Sequence, residues 1–292
     1  MKFQENISAL KSEAILKKIQ NVTVLPPIPR VLQEISQLFN DPSISARKIE
    51  VLIEKDPSLT VRVLSIANSP LFGLRRSVTN IGSAVLILGF QEIKSIVTSI
   101  KMASTLKMKS DKYFDPDQFL NHSLITGILT QRMSKDLGFN FNGDGFTAGI
   151  LHDIGIVILH EHFPQEFLQI IECTSQKNIS FLQAEYDVIG LSHQEIGEFL
   201  ADKWSLPSVL SDVLRFHHRP GYSKENNFLT SILHLADYAV SIYEPDSVLW
   251  DSNYIFDDAA ASVLNFLSTD ELNDFIEAYR EDYFELSKTK LI

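Results

Sequence analysis

Apolar residues recur along this chain at helical spacing. Leu59, Val63, Leu64 and Ala67 stand at i, i+4, i+5 and i+8, one face of a helix, and Ile93, Ile96, Val97 and Ile100 do the same. Phe119, Ser123, Thr126 and Leu129 keep the spacing on a less apolar face. Alternating strand patterns are hard to find, and residues 139–141 are too short a run to count as one. The punctuation agrees with helices joined by short loops. Asp56-Pro57 and Asp115-Pro116 each pair a capping carboxylate with proline at the first helical position. Pro29 opens a predicted helix running to Phe39, stopped by Asn40-Asp41-Pro42. Asn68-Ser69-Pro70 ends another, and Gly89 falls where a C-terminal cap belongs. Gly138 and Asn142-Gly143-Asp144-Gly145 mark a turn, and Ser192 and Leu206-Pro207 open two further helices. Roughly a dozen helices follow, an all-α protein packed helix on helix.

Composition narrows the class. The 292 residues are 45% apolar and 22% charged, an ordinary globular balance that speaks against disorder and fibrous repeats. Lys and Arg total 26 against 37 Asp and Glu, a net charge of −11. That charge disfavours phosphate backbones and anionic membranes, so neither nucleic acid nor membrane is an expected partner. Cys173 is the single cysteine, which removes intramolecular disulfides and Cys-rich zinc sites; a small buried residue is expected there. The start, Met1-Lys2-Phe3-Gln4-Glu5-Asn6, lacks an apolar signal-peptide core, and stretches such as residues 84–88 fall short of a membrane span. The expectation is a soluble, reduced, cytoplasmic protein.

The run Lys107-Met108-Lys109-Ser110-Asp111-Lys112 interrupts the apolar pattern, and all eight histidines lie from residue 122 onward. A boundary is therefore expected near residues 105–115. From about residue 245 the chain turns acidic and aromatic, and two helices are expected there, packing on the bundle or extending an interface.

The chemistry centres on His152-Asp153 within Gly149-Ile150-Leu151-His152-Asp153-Ile154-Gly155. Apolar neighbours predict a buried helix, and a buried imidazole and carboxylate are costly unless paired or bound to metal. His122, His193, His217, His218 and Asp237 stand in other apolar or capped helical contexts. Imidazole and carboxylate together suit iron, manganese, zinc or nickel, and a carboxylate can bridge two ions. Bundles build such sites from facing helices. A lone histidine in an apolar helix is more often a core or capping residue, and spacing alone leaves open whether these residues converge.

Smaller signals have plainer readings. Gly143-Asp144-Gly145-Phe146-Thr147-Ala148 fits a loose dinucleotide pattern but lacks the preceding strand, so a turn and helix start explains it. Pro26-Pro27-Ile28-Pro29 orders the entry to a helix. Arg75-Arg76, Lys94, Lys101, Lys107 and Lys109 read as a solvated basic face. His160 and His162 flank Glu161 in a loop-like stretch and read as surface histidines.

His122, His152-Asp153 and Asp237 resemble the His…His-Asp…Asp signature of HD-type metal phosphohydrolases. Leu25-Pro26-Pro27-Ile28-Pro29, Lys55-Asp56-Pro57-Ser58-Leu59, Ala67-Asn68-Ser69-Pro70 and Ile81-Gly82-Ser83-Ala84-Val85-Leu86-Ile87-Leu88-Gly89-Phe90 resemble the HD-related output domain, HDOD. Lys203-Trp204-Ser205-Leu206-Pro207 and Arg215-Phe216-His217-His218 extend the likeness, which spans roughly residues 20–240. It implies a helical subdomain over residues 1–110, an HD-like metal-binding bundle over 111–245 and a helical extension over 246–292.

His193, His217 and His218 are similar to the extra ligands of HD-GYP phosphodiesterases of cyclic dinucleotides. By that likeness one ion takes His122, His152, Asp153 and Asp237, and a second shares Asp153 and takes His193, His217 and His218. The two divalent ions would be iron or manganese first, with zinc or nickel also suitable. Where those enzymes carry a phosphate-binding lysine this chain has Ile156, and His217-His218-Arg219-Pro220-Gly221-Tyr222 is a shortened echo of their Gly-Tyr-Pro loop. The family lean is therefore regulatory: a signalling protein with a retained metal site, a signalling protein partner and room for an oligomer. The alternative is a phosphohydrolase of cyclic nucleotides or dinucleotides. It would activate a water near Asp153 for in-line attack, with Lys203, Arg215 or Arg219 as phosphate contacts, although a solvated surface role is the default for each. A di-iron sensor of oxygen or redox state is the third reading.

Overall fold

Local capping sets most of the helix boundaries. In the computed structural model, which describes Lys17 and residues 45–69, 74, 76–105, 108–141, 143–245 and 247–288, the chain is all-α, with no strand among the described residues. Ser45 caps α1 (Ala46–Glu54), Asp56 caps α2 (Pro57–Ala67) by accepting from the Leu59 amide, and Asn80 caps α3 (Ile81–Leu88). Asn68 then closes the following loop, donating to the Val78 carbonyl at 2.9 Å and accepting from its amide at 2.7 Å. Gly89, at φ 89°, turns the chain into α4 (Phe90–Thr105), bending the pair by 119°. No single described helix is long and apolar enough to cross a membrane.

Asp115 caps the long α5 (Pro116–Asp136), which packs against α6 (Asp144–Leu151). After the His152-Asp153 turn come α7 (Ile154–His162), α8 (Pro164–Lys177) and α9 (Phe181–Val188). A capping box between Ser192 and Glu195 starts α10 (His193–Lys203), and α11 (Ser208–Phe216) folds back on it. α12 (Asn227–Tyr243) returns along α5. The 3-10 turns Pro220–Tyr222 and Leu249–Asp251 flank it, and α13 (Asp258–Val263), α14 (Thr269–Glu277) and α15 (Arg280–Lys288) close the chain.

Two close helix approaches position the site. A Cβ on Gly149 of α6 would fall 2.3 Å from the Cα of Gly127 in α5, and one on Gly155 of α7 would fall 2.1 Å from the His193 carbonyl oxygen at the start of α10. Only glycine lets these backbones approach so closely.

Several expectations need correction. His152-Asp153 does not lie within a continuous helix: the chain breaks there, between α6 and α7. Among the described residues, three helices and a 3-10 turn, rather than two helices, follow residue 245. His160 is helical and buried, stacked on Phe114 and bonded to Asp111 at 2.9 Å, so it is not a surface histidine. Cys173 is half-buried. Within the basic stretch, Lys101 pairs with Asp56 and Lys109 with Glu161. The Leu25-Pro26-Pro27-Ile28-Pro29 motif, the helix expected from Pro29 to Phe39, Pro70, Arg75 and Lys107 lie outside the described residues.

Candidate metal centre

The break between α6 and α7 projects His152 and Asp153 into the protein interior. There they meet His122 from the buried face of α5, Asp237 from α12, His193 from the first residue of α10, and His217 and His218 from the end of α11. All seven residues expected as ligands thus come together. His152, His217 and Asp237 are 0% exposed, and His218 is half-buried at the edge.

Asp153 divides its carboxylate between two groups of imidazoles. Its Oδ2 lies 3.0 Å from His152 Nε2 and 3.5 Å from His122 Nε2. Its Oδ1 lies 3.5 Å from His193 Nε2 and 3.7 Å from His217 Nε2. Asp237 Oδ1 is 3.3 Å from both His122 and His152. Donor atoms of Asp153, His193, His217 and His218 lie within 4.8 Å of one another, as do those of His122, His152 and Asp153 and those of His122, Asp237 and Asp251.

The histidine tautomers give the cluster the donor chemistry of a cation site. His152 Nδ1 donates to the Gly149 carbonyl at 2.7 Å, His217 Nδ1 to the Leu214 carbonyl at 2.8 Å, and His193 Nδ1 to Glu185 at 2.9 Å. With Nδ1 carrying the proton, each neutral ring turns an Nε2 lone pair inward, toward carboxylate oxygens that are also acceptors. The Nε2 atoms of His122 and His152 approach at 3.3 Å, and those of His193 and His217 at 3.2 Å. Asp153 Oδ1, both Asp237 oxygens and Asp251 Oδ2 are buried without a hydrogen-bond partner. Buried acceptors facing buried acceptors repel unless a cation sits between them. The donor set therefore fits a divalent metal.

Without metal, protons take part of that role. Burial pulls the His122 imidazole down, but Asp251, Asp153 and Asp237 outweigh it and lift it to about 10. Burial likewise opposes His152, which Asp153 and Asp237 hold well above its ordinary value. Burial pushes Asp153 and Asp237 up, yet His152 and His122 hold both well below the carboxylate range. Burial and neighbouring imidazoles keep His217 and His218 low, while Glu185 and Asp153 outweigh burial and hold His193 up.

Four contributors escaped sequence reasoning. Glu185 is fully buried and holds both the Nδ1 and the backbone amide of His193. Trp250 donates its indole N–H to Asp153 Oδ2 at 2.8 Å, and Asp251 approaches His122 Nδ1 at 3.6 Å. His234 bonds the His217 carbonyl through Nδ1 and accepts from the Asp257 amide through Nε2. Burial holds its pKa at about 4, so it stays neutral and fastens the loop at Asp257 to α12. In the sequence these are scattered acidic, aromatic and apolar-helix positions with no shared spacing.

A cleft of about 830 Å³ opens onto His218, walled by Trp250, Tyr254, Phe256 and Gln183. Arg219 lines it and stacks over Tyr186 at 5.3 Å. Of the other phosphate contacts expected, Arg215 is held by Glu195 and Glu198 at 3.2 and 3.3 Å, and Lys203 extends over the Phe199 ring. Neither lines the cleft. Ile156 is wholly buried in the core.

The fold and site together define an all-α protein with a His-Asp pair at a helix break, surrounded by imidazoles and carboxylates that form a candidate metal centre. More narrowly, the chain belongs to the HDOD domain family, whose family model matches residues 25–220. A curated relative, an uncharacterized protein of Treponema pallidum (strain Nichols), is 26% identical over 202 residues, 69% of this chain; that match spans 39% of the relative's own length. The fold resembles that of an HDOD domain protein from Geobacter sulfurreducens, with a TM-score of 0.68 and 24% identity over 97% of this chain and 98% of that one. It also resembles a protein from Shewanella amazonensis provisionally named a phosphohydrolase, with a TM-score of 0.70 and 24% identity over 96% and 99% of the two chains. At these identities the likeness shows the fold. Asp237, Trp250 and Asp251 lie beyond the matched segment.

Proposed function

We propose that this protein holds two divalent metal ions bridged by Asp153 and uses them in signalling through a protein partner rather than in turnover. The observation that carries the dinuclear reading is the division of the Asp153 carboxylate, one oxygen toward His122 and His152 and the other toward His193 and His217. His122, His152, Asp153 and Asp237 would hold one ion; Asp153, His193, His217 and His218 the other. When bound, two such ions supply Lewis acidity and concentrated positive charge beside the cleft. Iron or manganese suits the mixed imidazole and carboxylate set.

The regulatory half of the reading is supported by what surrounds the ligands. Arg215 is neutralised by two glutamates, Ile156 offers no charge, and Asp257 and Asp258 line the cleft that Arg219 enters. Among the side chains that line the cleft, a singly charged phosphodiester would meet one cationic residue and two carboxylates. The cleft favours a second reading, a phosphohydrolase for a small phosphoester, in which Arg219 draws the anion toward His218 while Trp250 and Tyr254 exclude water.

Elemental analysis of protein purified without added metal or a histidine tag tests the first claim, and hydrolysis of bis(p-nitrophenyl) phosphate separates the two readings. Two equivalents of metal without hydrolysis support the signalling role. Two equivalents with chelator-sensitive hydrolysis favour the phosphohydrolase. Folded protein that stays empty after incubation with iron, manganese and zinc refutes both.

A further inference from the structure

We propose that Asp251 is the positioning residue of His122, and that the Trp250-Asp251 turn from outside the family-matched segment completes the His122 side of the metal centre. This rests on the dinuclear reading above.

The need for such a residue follows from where each histidine sits on its helix. His152 and His217 stand at helix C-termini, where the carbonyls of Gly149 and Leu214 are free of intrahelical duty and accept their Nδ1–H groups. His193 starts a helix, has no such carbonyl, and uses Glu185. His122 lies inside α5, where the preceding carbonyls belong to the helix ladder. It too needs an acceptor from elsewhere. Its Nδ1 has no hydrogen-bond partner, and the group facing it is the Asp251 carboxylate, 6% exposed, whose Oδ2 also lacks a partner and lies 3.6 Å away. An approach of about 0.7 Å would complete the bond. Asp251 would then do for His122 what Glu185 does for His193, leaving both Nε2 lone pairs directed at metal.

Trp250 anchors the turn that carries Asp251. Its indole N–H meets the Asp153 oxygen facing His122, its ring stacks on Phe114 at 5.5 Å between centroids, and it meets the His122 ring edge-on at 90°. The turn therefore touches the His122 half of the centre. The His193, His217 and His218 group lies on the other side of Asp153.

Manganese(II) is titrated by calorimetry into the metal-stripped chain, as wild type, Asp251→Ala and Asp251→Asn. Wild type should bind two ions. Asp251→Ala should weaken one of the two steps by about 10- to 100-fold, the usual cost of removing a histidine's outer partner, and leave the other unchanged. Asp251→Asn, whose amide oxygen can accept the same N–H, should restore most of the loss. If Asn is as poor as Ala, Asp251 is itself a ligand and the positioning role is wrong. If neither variant alters binding, or only the melting temperature of the chelated protein falls, the role is structural and the proposal is overturned. Fewer than two ions in wild type would instead strike the dinuclear reading, a failure visible before any variant is made.

Discussion

Replacing Asp153 with alanine tests the centre most directly. Two groups of imidazoles share its carboxylate: Oδ2 faces His152 and His122 at 3.0 and 3.5 Å, and Oδ1 faces His193 and His217 at 3.5 and 3.7 Å. A bound ion stabilises the folded state by about 2.7 kcal/mol when supplied at a hundred times its dissociation constant, so two ions contribute about 5 kcal/mol. At about 2 °C per kcal/mol for a chain of this size, wild type should melt about 10 °C higher in manganese than in chelator. Asp153→Ala should lose that increment entirely, because neither group keeps its bridging oxygen. The metal-free variant should also be less stable than metal-free wild type by about 3–5 kcal/mol, since the buried imidazoles lose their counter-charge and Trp250 loses its acceptor. Differential scanning fluorimetry with and without metal, alongside elemental analysis, reads both effects. A variant that retains two ions per chain and the full thermal increment would refute the bridging role.

Other outcomes follow from the same geometry. Gly155→Ala places a Cβ against the His193 carbonyl and should cost about 1–3 kcal/mol, seen in chemical denaturation, while lowering metal affinity by displacing the start of α10. Glu185→Ala should weaken binding on the His193 side about 10- to 100-fold in calorimetry, and Glu185→Gln should recover part of it. The pH dependence should separate chelated from loaded protein. His122 rises from 6.5 to about 10 on folding without metal, so its contribution is complete below pH 6.5 and lost as pH climbs through 10. Coordination needs the neutral imidazole, so the thermal increment from metal should widen between pH 6.5 and 9.5, measured in matched melts. Asp56→Ala removes a cap and should cost about 1 kcal/mol with no effect on metal content.

Much of the fold was legible because its signals are local. Asp56-Pro57, Asp115-Pro116 and Ser192 announce helix starts within four residues of themselves, and the structure begins helices at each. The burial of His160 leaves no local mark because Asp111 and Phe114, which contact it, lie far back in the chain. Glu185, His234, Trp250 and Asp251 gave no signal for a related reason. Each acts on an atom of a residue that no helical period connects to it.

The donors themselves were readable, since His122, His152, Asp153, His193, His217, His218 and Asp237 are unusual residues in apolar or capped helices, a property of neighbouring positions. Which atom of each faces inward was not. That follows from the carbonyls left free at two helix ends, from Glu185 and Asp251 arriving from other elements, and from the glycine contacts that let α6 meet α5 and α7 meet α10. Periodicity and caps act over one or two turns of chain. The split of a single carboxylate between two groups of imidazoles depends on interhelical distances of a few ångströms, and packing alone sets those.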